Sequence, residues 1–477
     1  MSFRVPPSVT RSSHILCSPT FSRPLHRHQH SLIFGRRKMA TEAHIELDPS
    51  HAGVYHVPNI SQQSSDTGSK LLQYNSDAFH IFFNASGFHN HIAHHLLTIY
   101  ALGATSEELQ HAFDFNKGYQ RKLPPVDTGN VQKMSDPEGF NSSLGKAQYF
   151  HDYEVFFQGE IEKKGWEKVL NEHVFARTEH SERMLVRMFA GFLHPLIHLG
   201  FGVEFKQPAI MIEALAQAAV HDDWPGKFLH AAEKAAKQNR SSKSLVQLIH
   251  ETRANEKLRN SAHAEDGNKL RDGVFARAAE EMTDIASQWT VEPEELQQKT
   301  AEMINAAVYF AAGAQRPGKQ VKFDFFYMHS VNCSIFFSAF LDEPWLSTEN
   351  KCRLLEWKGR LDLAMYVSRG CPKLLTEEIK NYKPQHPQDG WAEIIRRVDK
   401  FPDDGHASKL VRALANGHEV CKPYEGQSED VFVLQGDDVW LKLGHMAIDS
   451  VETGEPHWVR NAGFDEAWDE VPERARL

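Results

Sequence analysis

A long uncharged run rich in histidine constrains this chain more than any other part of its sequence. Residues 78–106 contain no Asp, Glu, Lys or Arg, yet they hold five histidines: His80, His89, His91, His94 and His95. Uncharged runs of this length are typical of a protein core, where each imidazole needs a partner because an unpaired buried polar group costs about 1–3 kcal/mol. Neutral imidazole is a good ligand for iron, zinc and copper. The run therefore predicts a buried site. Metal ligation is the commonest chemical reason for histidine at such positions.

The composition and charge argue against several classes of protein. Hydrophobic residues make up 41% of the 477 residues and charged residues 24%, as in ordinary globular proteins. The net charge is −10 and the acidic excess lies after residue 38, which argues against a nucleic-acid partner and an anionic membrane surface. The uncharged runs are interrupted by polar residues, Gly or Pro, so we expect no membrane span. Five scattered cysteines without a CxxC pair indicate a reducing compartment.

The first 38 residues differ from the rest of the chain. They contain six Arg and one Lys but no acidic residue, and they end directly before Met39. Two interpretations stay open: a transit-peptide-like extension that allows import into an organelle, and a disordered extension of a cytoplasmic protein. In either case we expect residues 39–477 to form the main domain.

Apolar periodicity predicts a mainly α fold, a large helical domain with a few short strands near the N-terminus. After Tyr153, apolar residues recur three and four positions apart. This spacing predicts helices over 181–198, 208–221, 226–238, 242–258, 274–289, 293–312, 324–341, 349–368, 389–400 and 406–416. Short strands or extended segments are predicted at 54–57 and 79–83, and a strand at 431–434. Residues 61–70 and 118–148 are rich in turn formers and predict loops.

Helical spacing aligns further histidines. His194 and His198 stand four apart, which places both on one helical face, as in helical metal motifs. Pro195 disfavours helical geometry at the residue before it, so it predicts a kink or a helix start at His194. His91 and His95 have the same spacing. Spacing alone leaves open which of four residues binds a metal: His89, His91, His94 or His95.

Two more histidines lie at or beside apolar helical faces. His329 shares a face with four apolar residues: Cys333, Phe336, Phe337 and Phe340. His406 and Lys409 lie beside the apolar stripe of a helix whose N-terminus carries two acidic residues, Asp403 and Asp404. Taken alone, each histidine is typical of a packed residue bonded to a backbone carbonyl. Taken together, they suggest the inward-facing ligands from which helical bundles build metal sites.

The absence of some motifs and the presence of a His-Asp dipeptide define the alternative functions. No GxGxxG follows a predicted strand, which argues against a flavin bound in a Rossmann fold. His151-Asp152 and His221-Asp222 suggest an all-helical HD-type metal-dependent phosphohydrolase, although neither has a basic phosphate-binding cluster beside it. A catalytically silent helical scaffold is a third hypothesis.

Four segments of the sequence, taken in order along the chain, resemble the questin oxidase family. They are residues 87–91 with His94, residues 194–205, residues 326–331 and residues 404–410. This resemblance spans roughly residues 45–450, and it implies that residues 39–477 form the catalytic domain of an oxygenase. The implied reaction opens the ring of an anthraquinone-type aromatic polyketide, in Baeyer–Villiger fashion or by iron-dependent C–C cleavage.

The resemblance also implies cofactors and residue roles. The implied metal is non-haem iron, with NADPH as a second expectation, and the reactants are dioxygen and a flat aromatic molecule. Carried over by position, the metal ligands are His91, His194, His329, His406 and Lys409. The resemblance implies carbamylation of Lys409, which is chemically reasonable because a buried lysine with a lowered pKa presents a neutral amine to carbon dioxide. His198 is then the catalytic base, and a wall of Phe336, Phe337 and Phe340 is a candidate substrate surface or core.

Overall fold

The computed structural model describes residues 39–238 and 243–474, and within them helices dominate. The predicted extension, residues 1–38, lies outside the described residues. The described residues from Met39 onward form one compact unit. Its α-helices are α1 Gln62–Ala78, α2 Ile92–Ala101, α3 Ser106–Lys117, α4 Thr128–Lys133, α5 Pro137–Ser143, α6 Phe150–Lys164, α7 Trp166–Leu170, α8 Glu179–Met188, α9 His194–Glu204, α10 Pro208–Val220, α11 Gly226–Gln238, α12 Leu245–Ala254, α13 Glu256–Arg259, α14 Phe275–Arg277, α15 Ala279–Ala286, α16 Leu296–Gly313, α17 Phe325–Leu341, α18 Thr348–Ser368, α19 Thr376–Lys380, α20 Trp391–Val398, α21 His406–Cys421 and α22 Asp437–Glu452.

The mainly α prediction is confirmed, but the strands lie elsewhere than expected. The described residues contain one two-stranded parallel sheet, formed by β1 (Phe323–Asp324) and β2 (Trp458–Val459). The segment 79–83 makes only isolated bridges, from Phe79 to Lys122 and from Phe82 to His89, and neither 54–57 nor 431–434 is a strand. Each bridge in 79–83 involves a single residue, so no ladder of hydrogen bonds extends along this segment.

The segment 61–70 was predicted as a loop, and this prediction is wrong because its small polar residues face the protein interior. Ser61 caps α1 by accepting a hydrogen bond from the Ser64 amide. On the buried face, the Ser65 hydroxyl lies 2.8 Å from the Tyr100 hydroxyl, and the Ser64 hydroxyl donates to the Ala104 carbonyl at 2.9 Å. Hydroxyl partners therefore compensate for the low helix propensity of serine. The predicted loop 118–148 likewise contains the short helices α4 and α5.

A group of fully buried helices forms the centre of the protein. Every residue of α9 and of α10 is buried, and α17 is buried along most of its length. Helix α9 packs against α10 and α17, α17 packs against α16 and α21, and α2 packs against α21. Helices that are apolar all round need neighbours on every side. This arrangement brings the N-terminal parts of α2, α9, α17 and α21 into one region.

The predicted helix 181–198 is interrupted, as Pro195 indicated. Helix α8 ends at Met188, and α9 begins at His194 after Phe192 and Leu193, whose φ angles are +55° and +70°. The two segments bend by 69°. Among the described residues no single helix is both long and apolar enough to cross a bilayer, and this bent pair meets those criteria only when its two parts are combined.

A glycine sets the distance between α9 and α17. A Cβ atom on Gly200 would lie 2.2 Å from Cγ of Phe336, so we expect Gly200→Ala to lower the free energy of unfolding by about 1–3 kcal/mol through overpacking. Denaturant titration measures this change. The matched control is Gly159→Ala in α6, where nothing lies within 4 Å of the added Cβ, and where alanine should stabilise by about 0.5–1 kcal/mol. Equal effects of the two substitutions would contradict the close helix crossing.

Candidate metal centre

Four histidines from four distant parts of the chain meet at the N-terminal parts of their helices. His91 directly precedes α2, His194 begins α9, His329 lies in α17 and His406 begins α21. Ring centroids are 5.1 Å apart for His91 and His194, and 4.5 Å apart for His91 and His406. They are 4.8 Å apart for His194 and His329, and 5.3 Å apart for His329 and His406. The structure therefore brings together all four histidines named as metal ligands.

Each of the four rings is held through Nδ1 by an oxygen atom. Nδ1 of His91 donates to the Asp404 carboxylate at 2.8 Å, and Nδ1 of His406 donates to the other oxygen of that carboxylate. Nδ1 of His194 donates to the Gly191 carbonyl at 2.5 Å, and Nδ1 of His329 donates to the Phe325 carbonyl at 2.6 Å. Carbonyl and carboxylate oxygens only accept, so these contacts place the hydrogen on Nδ1 and leave a lone pair on each Nε2.

The four Nε2 atoms lack ordinary partners. Nε2 of His329 and Nε2 of His406 are buried without any hydrogen bond. Nε2 of His91 lies 2.9 Å from Nε2 of His194, although both atoms present lone pairs. A cation or a proton between them is needed to make such a contact favourable. Imidazoles oriented by Nδ1–H to a carboxylate or carbonyl, with a free Nε2, are typical of metal ligands, so this donor set fits a transition metal.

Asp404 and Asp403 have separate tasks at the start of α21. Asp403 accepts hydrogen bonds from the Gly405 amide at 2.6 Å and the Ala407 amide at 2.9 Å, which caps the helix. Burial, with the neighbouring Asp404, raises the pKa of Asp403 to about 7. Burial also acts to raise the pKa of Asp404, but His406 and His91 hold it well below its ordinary value. Asp404 is thus an ionised carboxylate that orients two of the four rings.

Lys409 lies one helical turn after His406 and is buried, with 6% of its surface exposed. Burial lowers its pKa to about 8, against the opposing effect of Asp404 and Asp403. About a tenth of its amine is therefore neutral at pH 7. Its charge lowers the pKa values of His91, His329 and His406, so the ammonium lies close enough to act on three of the four rings.

His198 lies behind the four rings, not among them. Its Nε2 is 2.8 Å from a Glu213 oxygen and its Nδ1 is 3.0 Å from Nε2 of His94, so both nitrogens are engaged. The Glu213 carboxylate accepts from His198, which then accepts from His94. This leaves Nδ1 of His94 as a buried acceptor without a partner. Buried hydrogen bonds therefore connect Glu213, His198 and His94 in one chain.

The geometry distinguishes the four histidines that spacing left open. Only His91 belongs to the group of four rings. His89 stacks on His194 with centroids 3.8 Å apart, and its Nε2 lies 2.9 Å from Nε2 of His221. His95 packs against Gly405.

A cavity of about 490 Å³ opens beside the centre, with His91, His194 and His89 in its wall. Six aromatic side chains line it: Phe82, Phe88, Phe192, Trp224, Phe325 and Phe326. None of these six residues was predicted from the sequence to line a cavity. Of the two roles left open for Phe336, Phe337 and Phe340, substrate surface or core, the structure shows the core, because all three are buried and none lines the cavity. The lining aromatics lie in turns and at a helix start, where apolar periodicity carries no signal.

Comparison with known proteins identifies the family of this chain. A sequence model described as questin oxidase-like matches residues 88–414, which include all four histidines and Lys409. The chain belongs to the questin oxidase-like family. A Baeyer–Villiger oxidase of Pestalotiopsis fici is 42% identical over 440 residues, or 91% of this chain and 99% of that protein. The questin oxidase of Aspergillus terreus is 40% identical over 440 residues, covering 91% and 98%, and oxidoreductase AflY of Aspergillus parasiticus is 40% identical over 429 residues, covering 88% and 86%.

The predicted family is therefore confirmed, and the HD-type phosphohydrolase is not favoured. In this questin oxidase-like chain His151 donates to the Pro124 carbonyl at 2.6 Å, while Asp152 accepts from the Asp127 amide and the Asn130 side chain. Both residues thus stabilise local structure. Among the described residues a second group of metal-type side chains exists, Glu160, Glu172 and His173, but the Lys164 ammonium already donates to both carboxylates.

The buried histidines of this questin oxidase-like protein predict a loss of stability in acid. Burial lowers the pKa of His91 to about 3 and those of His95 and His221 to about 4. The unfolded chain therefore binds more protons as pH falls through 6.5, and stability is full above that value and falls below it. In the presence of a chelator, lowering the pH from 7.5 to 6.0 should therefore reduce the free energy of unfolding by about 0.8 kcal/mol for each of these histidines.

The variant His221→Gln tests this prediction, because it removes one of the titrating rings and leaves the four rings of the candidate metal centre in place. Denaturant unfolding at both pH values should show a loss that is smaller by about 0.8 kcal/mol in the variant than in the wild type. The same loss in both proteins would contradict a neutral buried His221.

Proposed function

We propose that this chain is an oxygenase that uses dioxygen to open the quinone ring of an anthraquinone-type aromatic polyketide. The relatives named as questin oxidase and Baeyer–Villiger oxidase support the reaction class. The aromatic cavity beside the four histidines supports a flat apolar substrate, because aromatic walls bind aromatic rings by stacking and edge contacts.

Four imidazoles held through Nδ1, with no ordinary hydrogen-bond donor at any Nε2, are the observation that carries this proposal. We assign the metal to non-haem iron, held by His91, His194, His329 and His406. Iron bound there would supply the one-electron chemistry that lets dioxygen react with a closed-shell organic molecule. Lys409, as a carbamate on the neutral amine, is the proposed fifth ligand. A mass increase of one carbon dioxide on the native protein, lost in Lys409→Met, tests that assignment.

The remaining residues of the site orient and shield the reactants. Asp404 holds the rings of His91 and His406, and the Gly191 carbonyl holds the ring of His194. Phe192 and Phe326, with centroids 4.7 Å apart, form an apolar wall that excludes water beside the histidines. His198 is proposed as the base, acting through His94, because its own nitrogens bond Glu213 and His94.

Two further expectations belong to this proposal and rest on the sequence. NADPH is proposed as the second reactant if the reaction is a Baeyer–Villiger oxidation, since that reaction inserts one oxygen atom and reduces the other to water with two external electrons. Cleavage that places both atoms in the product needs no such reductant. The proposed location is the cytoplasm, with import through residues 1–38 as the alternative.

The decisive experiment combines metal content with oxygen accounting. Protein purified anaerobically with ferrous iron is mixed with a hydroxyanthraquinone and ¹⁸O₂, with and without NADPH, and the products are analysed by mass spectrometry. We expect oxygen uptake and a ring-opened product carrying one or two labelled atoms, which separates the two stoichiometries. The control is the same protein loaded with zinc, which has no redox chemistry. Equal turnover with zinc, or phosphodiester hydrolysis without oxygen uptake, would refute the proposal.

A further inference from the structure

One buried arginine in the cavity wall lacks the partner that the other buried arginines have. Five arginines in the described part of the chain are buried, and four of them contact a carboxylate: Arg187 with Asp223, Arg353 with Glu182, Arg360 with Glu356 and Arg412 with Glu204. Arg369 forms no ion pair with any described carboxylate. A buried guanidinium is costly unless a negative charge compensates it.

The hydrogen bonds of Arg369 go to neutral groups only. Its Nε donates to the Ser368 hydroxyl at 3.0 Å and its Nη1 donates to the Asn461 side-chain oxygen at 2.6 Å. Its Nη2 is buried without a partner. Asp324, the acidic residue that acts on it electrostatically, already accepts from backbone amides, including those of Phe326 and Ala462. Burial lowers the pKa of Arg369 to about 10, as expected for a cation that lacks a close counter-charge.

The same wall contains a second cation with the same kind of aromatic neighbour. The guanidinium carbon of Arg369 lies 3.9 Å from the ring centroid of Phe326, and that of Arg460 lies 4.6 Å from the ring centroid of Phe325. Arg460 is exposed, and none of the ion pairs among the described residues includes it. The Phe325 ring lies 4.8 Å from that of His329, so Arg460 is one aromatic ring away from the four histidines.

The other charges in the wall do not satisfy these two cations. The Lys269 ammonium is held by backbone carbonyls at 2.8, 2.6 and 3.2 Å, so it serves the local fold. Asp222 is the one acidic residue among those lining the cavity, and it contacts neither arginine within ion-pair distance. In a protein whose net charge is −10, this wall is a local positive region.

We propose that Arg369 and Arg460 bind an ionised oxygen, a phenolate or a carboxylate, on the planar aromatic substrate. This inference rests on the proposed function, which supplies the flat aromatic ligand. The two arginines add that this ligand is negatively charged. The guanidinium groups fix the charged edge of the ligand, and the Phe325 and Phe326 rings contact its face. The substrate class is therefore an anionic polycyclic quinone, held in one orientation relative to the four histidines.

Equilibrium binding by calorimetry tests this inference with a matched pair of probes. Anthraquinone-2-carboxylate carries the negative charge, and 2-(hydroxymethyl)anthraquinone has the same ring system without it. The full-length protein is used with a chelator, so that binding is measured separately from oxygen chemistry. We expect the wild type to prefer the carboxylate at least tenfold, and the preference to fall as salt concentration rises.

Two variants and a control assign the preference to the arginines. Arg369→Gln should weaken carboxylate binding by about ten- to a hundredfold and binding of the neutral probe by less than about threefold. Arg460→Gln, at an exposed position that tolerates substitution, should reduce the preference by about threefold or more. Arg396→Gln, an exposed arginine of α20 paired with Glu393, should leave both affinities unchanged.

The outcomes separate this inference from the proposed function. Equal affinity of the wild type for the two probes, or equal loss of both in Arg369→Gln with no effect in Arg460→Gln, would overturn the arginine site and leave the oxygenase proposal standing. Failure of the protein to bind either probe would overturn both the arginine site and the proposed substrate class.

Discussion

Alanine at His329 or at His406 is expected to abolish iron binding, with affinity lowered by at least about a hundredfold, since loss of even an outer partner of a metal ligand costs roughly ten- to a hundredfold. Each side chain ends in a buried Nε2 without a hydrogen bond, next to the contact between His91 and His194. Iron content after anaerobic purification with ferrous iron, followed by equilibrium dialysis, measures the loss. Asp404→Asn should give an intermediate result of about ten- to a hundredfold, because it misorients the rings of His91 and His406 without removing them.

The matched control is His445→Ala in α22. His445 is 2% exposed and its Nε2 bonds the Asp389 carbonyl at 3.0 Å, so the substitution also empties the space of a buried imidazole. Its iron content should equal that of the wild type. Normal iron in both His329→Ala and His406→Ala would remove these two residues from the ligand set.

Arg412→Met is expected to lower the free energy of unfolding by about 3–5 kcal/mol, because it leaves the Glu204 carboxylate buried without its counter-charge. Arg412 of α21 bonds both oxygens of Glu204 of α9, and its Nε donates to the Tyr55 carbonyl at 3.0 Å. The Val54 amide donates to the same carboxylate at 2.8 Å. The pair thus ties the helix that begins with His194 to the helix that begins with His406.

Removing both charges separates the pairing from the packing. Replacing Arg412 by Met and Glu204 by Leu together should recover at least half of the loss, since apolar replacement of a buried pair is often neutral. The exposed pair of Arg396 and Glu393 in α20 provides the comparison, and Arg396→Met should change stability by less than about 0.5 kcal/mol. A loss below about 1 kcal/mol in Arg412→Met would contradict this account.

Sequence patterns predicted the mainly α fold and most of the helices after Tyr153, because helices depend on local spacing and burial. The four histidines named as metal ligands lie together, and their role as ligands stays a prediction. Of the two outcomes that Pro195 predicted, a kink or a helix start at His194, the structure shows a helix start. The prediction failed where a side chain takes its role from a distant partner. Arg369 stands in no motif, and only the folded chain shows that it lacks a carboxylate while lining the cavity. Similarly, the charged-cap pattern at 403–404 did not distinguish Asp403, which caps the helix, from Asp404, which orients two rings.

The left-handed turn between α8 and α9 makes the length of that connection as important as its histidine. Gly191, Phe192 and Leu193 all have positive φ angles, and a Cβ atom on Gly191 would lie 2.7 Å from the His221 ring. An α-helix advances by about 100° per residue. An insertion or deletion here that shifts α9 by one residue would therefore rotate the His194 imidazole away from the other three rings, even though every side chain of the site was retained. Related chains that keep the site should therefore tolerate substitutions in residues 191–193 more readily than insertions or deletions there.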